Sequence, residues 1–300
     1  MIAGGAIGGA IAVGKAVQGG RDAPIKVAIV GCGRRGRELA DAVMAVEQES
    51  VRLVGLADVL PSQTQSAYRS LKGRFKETVA DDCLRSNGPE CIDRILESEA
   101  DVIFLTTPPV DRPGYFRKVV EAGKHVFMEK PLAADVAGVL DTVATAAHAS
   151  ENGLSVHVGF QRRYDARYQD VIARVREGAI GTVVFARAFC NAGPLRKPVR
   201  NRNETDFEFQ RRNWNHYQWT GGDFLVEQHV AGLDALPCGG APGPNVRHPH
   251  PAVVTRIAAG KSFVGHRLQT KSEKLPGAAV GFTLPATLRC LPRVAADSQR

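Results

Sequence analysis

The stretch Ile25-Lys26-Val27-Ala28-Ile29-Val30-Gly31-Cys32-Gly33-Arg34-Arg35-Gly36 decides the fold. A short apolar run, 25–30, is followed at once by glycines at 31, 33 and 36. Residues 34–47 then carry Leu39, Val43 and Val46 at helical spacing. A strand that turns through Gly-x-Gly-x-x-Gly into a helix is the phosphate-binding turn of a doubly wound sheet. The first glycine permits the tight turn, the second lets the backbone approach a pyrophosphate, and the third lets helix and strand pack closely. The helix N-terminus meets the phosphate charge with free N–H groups. The next strand candidate, VRLVGLAD at 51–58, ends on Asp58, 22 residues after Gly36. A carboxylate there bonds the adenosine ribose hydroxyls and repels a 2′-phosphate, which favours NAD. Arg34 and Arg35 are each placed to reach a 2′-phosphate, so NADP stays open.

Working outward, the same rhythm continues. A polar stretch with Gly73 and Asn87-Gly88-Pro89 leads to a helix around 90–98. DVIFLTT at 101–107 reads as a buried strand stopped by Pro108-Pro109. A helix near 113–122 ends at Gly123, HVFME at 125–129 is a strand, 135–150 a long Ala/Val helix, and LSVHVGF at 154–160 another strand. Strands alternating with helices at this spacing predict a parallel sheet covered on both faces. After Phe160 the rhythm changes to a helix at 165–177, a longer strand at 181–190, an irregular basic segment at 191–213 and a helix opening at Gly221-Gly222. The expected class is α/β: a Rossmann domain over 21–153, then an incomplete α+β substrate domain over 154–234.

Composition bounds the rest. Of the 300 residues 44% are hydrophobic and 23% charged, which excludes wholesale disorder and a polytopic membrane protein. The formal charge of +8 belongs to the C-terminal end, because residues 235–300 carry a net +7 and residues 1–234 only +1. A nearly neutral body argues against nucleic acid or an anionic membrane surface as partner. Eight of the 17 prolines also lie in 235–300, while every Trp and Tyr precedes them. With no helical or strand period, that segment is expected to be a poorly packed tail, either a shifted reading frame or a Pro-rich extension. The six cysteines are scattered without metal-ligand spacing, so no metal is expected. At the other end, residues 1–20 hold an apolar run of 14 residues, too short to span a bilayer. The run is either the remnant of a secretory signal lacking its basic start, which implies export to a periplasm-like compartment, or a flexible leader of a cytoplasmic protein.

Taken together, GCGRRG, LVGLAD, TTPP, AGKHVFMEKP, GFQRRY, GAIG, RNW and GGDFLVEQHVAGLD resemble the glucose–fructose oxidoreductase / inositol dehydrogenase / MocA (Gfo/Idh/MocA) family over about 25–234. The likeness is to its exported branch. The resemblance implies an NAD-dependent oxidoreductase that takes hydride from a sugar or inositol-like polyol hydroxyl, acting as a homo-oligomer in full-length relatives. It implies cofactor contacts from Gly31, Gly33, Arg35, Gly36, Asp58, Thr106, Thr107, Pro108, Glu129 and Lys130, with Lys130 of the Glu129-Lys130-Pro131 motif bonded to the reacting hydroxyl. Hydride transfer from a carbinol also needs a base for the hydroxyl proton and a cation for the growing oxyanion. The family pattern places an acid and a histidine one helical turn apart after a Gly-Gly. Glu227 occupies the acid position, but Ala231 stands where the histidine belongs. His229, two residues from Glu227 and about 200° round an ideal helix, serves as base only if that helix is distorted. Asp234 matches an acid that often follows the histidine, or is a surface charge. Arg162, Arg163 and Tyr164 are expected at the substrate, and Trp214 as a platform for a sugar face. Two other readings stay open: a glycosidase of the same fold using NAD as an internal redox catalyst, and a defective gene copy that binds a nucleotide only.

Overall fold

Burial on both faces sets the sheet. In β1 (Ile25–Val30) the last four residues are buried, and in β4 (Val102–Leu105) all four are. A strand covered on both sides reads as a continuous apolar run, and parallel pairing follows because helices must occupy both faces. The computed structural model describes residues 23–46 and 50–238, apart from 184, 191, 192, 194 and 197. Six parallel strands stand in the order β3-β2-β1-β4-β5-β6, the others being β2 (Val51–Asp58), β3 (Val79–Asn87), β5 (His125–Met128) and β6 (Val156–Val158). The chain reverses its winding between β1 and β4, and the crevice beyond their carboxyl ends is where such sheets bind ligands.

The crossovers are α1 (Arg34–Val46), α2 (Pro61–Arg74), α3 (Cys91–Leu96), α4 (Arg112–Glu121) and α5 (Val136–Glu151). Asp135 caps α5, its carboxylate accepting the Gly138 N–H at 2.7 Å. The core runs along the sheet centre, with Leu53, Leu56, Ile103, Leu105, Phe116 and Met128 fully enclosed. Beyond β6 follow α6 (Ala166–Arg176), α7 (Asp206–Arg212), a one-turn α8 (Gln218–Gly221), a π-helical stretch over Leu225–His229, and α9 (Val230–Cys238). Among the described residues no helix is long and apolar enough to cross a membrane.

Two readings need correction. The polar stretch after Asp58 contains a helix and a strand, α2 and β3; β3 is an edge strand whose Asp81, Asp82 and Arg85 face outward, so it lacks the apolar run that marked the inner strands. The strand expected over 181–190 does not form among the described residues. No described strand lies beside it, and an apolar alternation without a pairing partner has no ladder to join. Smaller shifts have local causes: the strand read at 101–107 stops at Leu105 because Thr106 and Thr107 turn into the binding crevice. The leader at 1–20 lies outside the described residues, as does the tail from 239 onward; residues 235–238 continue α9.

Phe116, enclosed between α4 and the sheet, gives a direct measure of this core. Phe116→Ala is expected to cost about 3–5 kcal/mol in urea unfolding, the range for a fully buried ring.

Candidate functional site

The glycine turn is fixed by backbone contact. Gly31 has φ +99°, and a Cβ there would stand 2.6 Å from the Thr106 carbonyl carbon and 2.7 Å from the Thr107 nitrogen. At Gly36 a Cβ would collide with the Gly31 carbonyl. Gly33 differs, for nothing lies within 4 Å of its Cβ position, and that space opens into the crevice. Thr106 closes the turn from β4, its N–H bonding the Val30 carbonyl at 2.8 Å and its hydroxyl the Gly31 carbonyl at 2.5 Å. A buried hydroxyl oxygen of Thr107 has no partner and belongs to the same crevice wall. A backbone cradle left open at Gly33, an orphaned hydroxyl and a helix N-terminus together fit a dinucleotide.

The crevice is a cleft of about 200 Å³ whose walls include Gly31, Gly33, Arg34, Asp58, Thr107 and Trp214. Asp58 accepts the Cys32 N–H at 2.8 Å on one oxygen and the Leu60 N–H at 2.9 Å on the other. Burial pushes its carboxyl up, and the two N–H donors and Arg211 pull it back. Arg34, four-fifths exposed, borders the cleft, whereas Arg35 turns inward and donates to Glu129 at 2.9 and 2.7 Å. Of the two arginines in the turn, Arg34, paired with Glu38 at 3.6 Å, is the one that stays exposed at the cleft rim.

At the end of β5 the Glu129-Lys130-Pro131 motif turns through a cis Lys130–Pro131 bond. The Lys130 ammonium donates to the Glu227 carboxylate at 2.8 Å and to the Glu227 carbonyl at 2.5 Å. These residues are 97 positions apart, and the π-helical stretch brings the second back to the first. Burial pushes the Glu227 carboxyl up against the opposing pull of Lys130, and its other oxygen is buried without a partner. Among the described residues His229 makes no hydrogen bond to this pair; its ring packs edge-on against Phe224 at 4.9 Å. Arg163 donates to Asp234 from Nε at 3.0 and 2.9 Å and from Nη2 at 2.5 Å, Arg162 lies over the Tyr168 ring at 5.7 Å, and the Tyr164 ring lies tilted against His157 at 5.1 Å. Asp234 is thereby engaged in an ion pair with Arg163. Trp214 faces the crevice that holds the glycine turn.

Three charged groups escaped the sequence reading. Arg112 is buried, donating to the Pro131 and Thr107 carbonyls, and so ties the turn after β5 to the turn after β4. Desolvation lowers its guanidinium to about 10, with Glu227 and Glu129 acting in the opposite sense. Arg211 pairs with Asp111, and Arg212 forks on Glu204 at 2.6 Å; both arginines wall the cleft. The basic run of 191–213 was the only sequence signal for them, and it does not say which arginine turns inward.

A family model described as "Oxidoreductase family, NAD-binding Rossmann fold" (GFO_IDH_MocA) matches residues 25–160. Residues 25–160 thus match the NAD-binding part of the Gfo/Idh/MocA family. Similar proteins include the myo-inositol dehydrogenase Hyg17 of Streptomyces leeuwenhoekii, 29% identical over 222 residues, covering 71% of this chain and 60% of that protein. Another is the scyllo-inositol 2-dehydrogenase (NAD(+)) of Bacillus subtilis, 25% identical over 165 residues, covering 55% and 44%. Among solved structures, the WlbA dehydrogenase of Bordetella pertussis in complex with NADH and UDP-GlcNAcA superposes with a TM-score of 0.55 at 21% identity, covering 74% of this chain and 56% of that one. Likeness at that identity shows the shared fold. The chain spans 60% or less of the length of these relatives.

The turn makes a paired prediction. Gly36→Ala should prevent a native turn, while Gly33→Ala should fold with near-parental melting and bind NADH at least about tenfold more weakly, since its methyl takes the space left for phosphate. Circular dichroism melts with NADH fluorescence titration separate the two.

Proposed function

We propose that this chain binds NAD in the cleft above Gly33 and belongs to a dehydrogenase that oxidises a hydroxyl of a sugar or inositol-like polyol. The observation that carries the reading is the half-buried Lys130–Glu227 pair with one buried Glu227 oxygen left unpartnered. A secondary alcohol supplies what that oxygen lacks, an O–H donor, while its own oxygen accepts from the Lys130 ammonium. Glu227 then takes the hydroxyl proton and Lys130 steadies the oxyanion as the carbinol becomes a ketone. Bound NAD supplies the hydride acceptor. Gly31, Gly33, Gly36 and Asp58 hold the dinucleotide, with Thr107 and Pro108 flanking it. Glu129, clamped by Arg35, keeps the lysine turn in register with the glycine turn. Arg162, Arg163 and Tyr164 line the substrate side of the second segment. The inositol dehydrogenases among its relatives favour a polyol.

A second reading, nucleotide binding with little turnover, is favoured by Ala231, half-buried in α9 where the family pattern has histidine. His229, turned onto Phe224, offers a base only if its ring swings away.

Two sets of measurements check this. Lys130→Met should lower polyol oxidation by about 10²–10⁴-fold with NADH affinity unchanged, and Ala231→His should raise it; activity surviving Lys130→Met removes the lysine's role. Glu227 must be ionised to accept a proton, and burial raises its carboxyl, so activity should fall with decreasing pH already above the ordinary glutamate range. Glu227→Gln should abolish that acidic limb in a kcat/KM profile. A parental limb at ordinary carboxylate pH would assign the base elsewhere.

A further inference from the structure

Arg211 enters the cleft from α7, outside the parallel sheet, and its side chain is only 7% exposed. Two guanidinium nitrogens donate to the two carboxylate oxygens of Asp111, 100 residues away, so the head group is held in a fork and not free to swing. Asp111 precedes α4 as its N-cap residue yet makes no side-chain cap, because its carboxylate is committed to Arg211. The guanidinium so placed shares the cleft with Asp58 and the glycine turn.

Asp58 is under unusual demand. Each of its oxygens already accepts a backbone N–H, from Cys32 in the glycine turn and from Leu60. A proton on either oxygen would weaken that oxygen as an acceptor and so loosen a bond that shapes the turn. Bound dinucleotide would strip further water from a carboxyl that burial already pushes up. The charged and titratable groups around it are Arg211 from α7, Asp111 ahead of α4, Cys32 in the turn, Cys91 at the start of α3 and Tyr115 of α4, with Arg34 of α1 and Arg212, forked on Glu204, also lining the cleft. Both thiols are pushed up by burial and stay neutral, so they lend Asp58 no charge. Arg211 lines the same cleft wall as Asp58 and opposes the effect of burial there, and its fork on Asp111 offsets the neighbouring carboxylate.

We propose that Arg211 is a positioning residue of the nucleotide cleft: anchored on Asp111, it holds a positive charge beside Asp58 and keeps that carboxylate in the ionised, all-acceptor form that shapes the glycine turn and receives the ribose hydroxyls. Removing Arg211 deletes the attraction and uncovers Asp111, and both changes favour protonation of Asp58. Dinucleotide affinity then becomes sensitive to acid in a range where the parent is not. The inference rests on the dinucleotide reading of the cleft, which the parent chain tests by itself.

The test is NADH affinity of the full chain, by fluorescence titration, from about pH 5 to pH 8. In Arg211→Met the affinity should approach the parent's at the alkaline end and fall about tenfold below it at the acidic end, since one unit of displacement is tenfold in the protonation ratio. Arg211→Lys, which keeps the charge, should restore much of the parental profile, and Asp58→Asn should be weak and independent of pH. Arg211→Met weakening binding by the same factor at every pH would overturn the proposal in favour of a packing role, and an unchanged profile would overturn it outright. Should Arg211→Met not fold, Arg211→Gln, which keeps an N–H donor for Asp111 but carries no charge, must displace the profile in the same direction; no displacement refutes the proposal. Absence of NADH binding to the parent at pH 8 would refute the cleft reading itself.

Discussion

The close approach of three backbone segments at Gly31, Gly36 and Thr106 is the constraint on which the rest depends. The Gly31 peptide sits against Thr106–Thr107 so tightly that a methyl group fits at neither Gly31 nor Gly36. Because β1 and β4 are neighbours with the winding reversed between them, that contact brings the start of α1 and the end of β4 to one edge of the sheet. The Thr106 hydroxyl bonds the Gly31 carbonyl, and the Cys32 N–H bonds Asp58 at the end of β2. Three strand ends are thus held in one small volume by hydrogen bonds that leave the Gly33 side open.

Buried charge extends the same organisation to the neighbouring turns. Arg112 replaces its lost hydration with the Thr107 and Pro131 carbonyls, which fixes the turn after β4 against the one after β5. Arg35 and Glu129 join α1 to that second turn, and Lys130 and Glu227 join it to the helical segment that follows the Rossmann part. Breaking the first pair by removing Arg35 is the costly change, because Glu129 would stay buried and uncompensated, whereas Arg35 is open to water. The chemistry attributed to Lys130 and Glu227 grows from this arrangement: the lysine is oriented by its strand, and the glutamate keeps one oxygen for a ligand.

What the sequence made legible was local. Glycine spacing after an apolar run, an acid closing the second strand, and Glu129-Lys130-Pro131 after a buried strand are short-range patterns, each tied to one turn. The NAD-type Rossmann domain followed from motifs of that kind, and Lys130 and Glu227 were each picked out by theirs, whereas their pairing across 97 residues was not legible. Arg112, Asp111 and Arg211 left no such trace, since a charge that finds its partner 100 residues away has no period and no fixed spacing. β3 was hidden because an edge strand with Asp81, Asp82 and Arg85 outward is polar by composition. The strand expected at 181–190 failed for the opposite reason: apolar alternation describes a face, and a face becomes a strand only where another strand lies alongside. The distortion of the helix after Gly222 was considered as a condition for His229; the π-helical stretch is present, yet His229 rests on Phe224.

The central claim is that a dinucleotide occupies the cleft walled by Gly33, Asp58 and Trp214. Energy transfer from tryptophan to NADH tests it most directly, because Trp214 borders the cleft and Trp219, the other tryptophan, stands half-exposed nearby in the chain. Titration with NADH should quench tryptophan emission and raise sensitised NADH emission along one saturable curve, and Gly33→Ala should move that curve to higher NADH concentration. No saturable transfer in the parent, or a curve unmoved in Gly33→Ala, would contradict a dinucleotide bound at this turn.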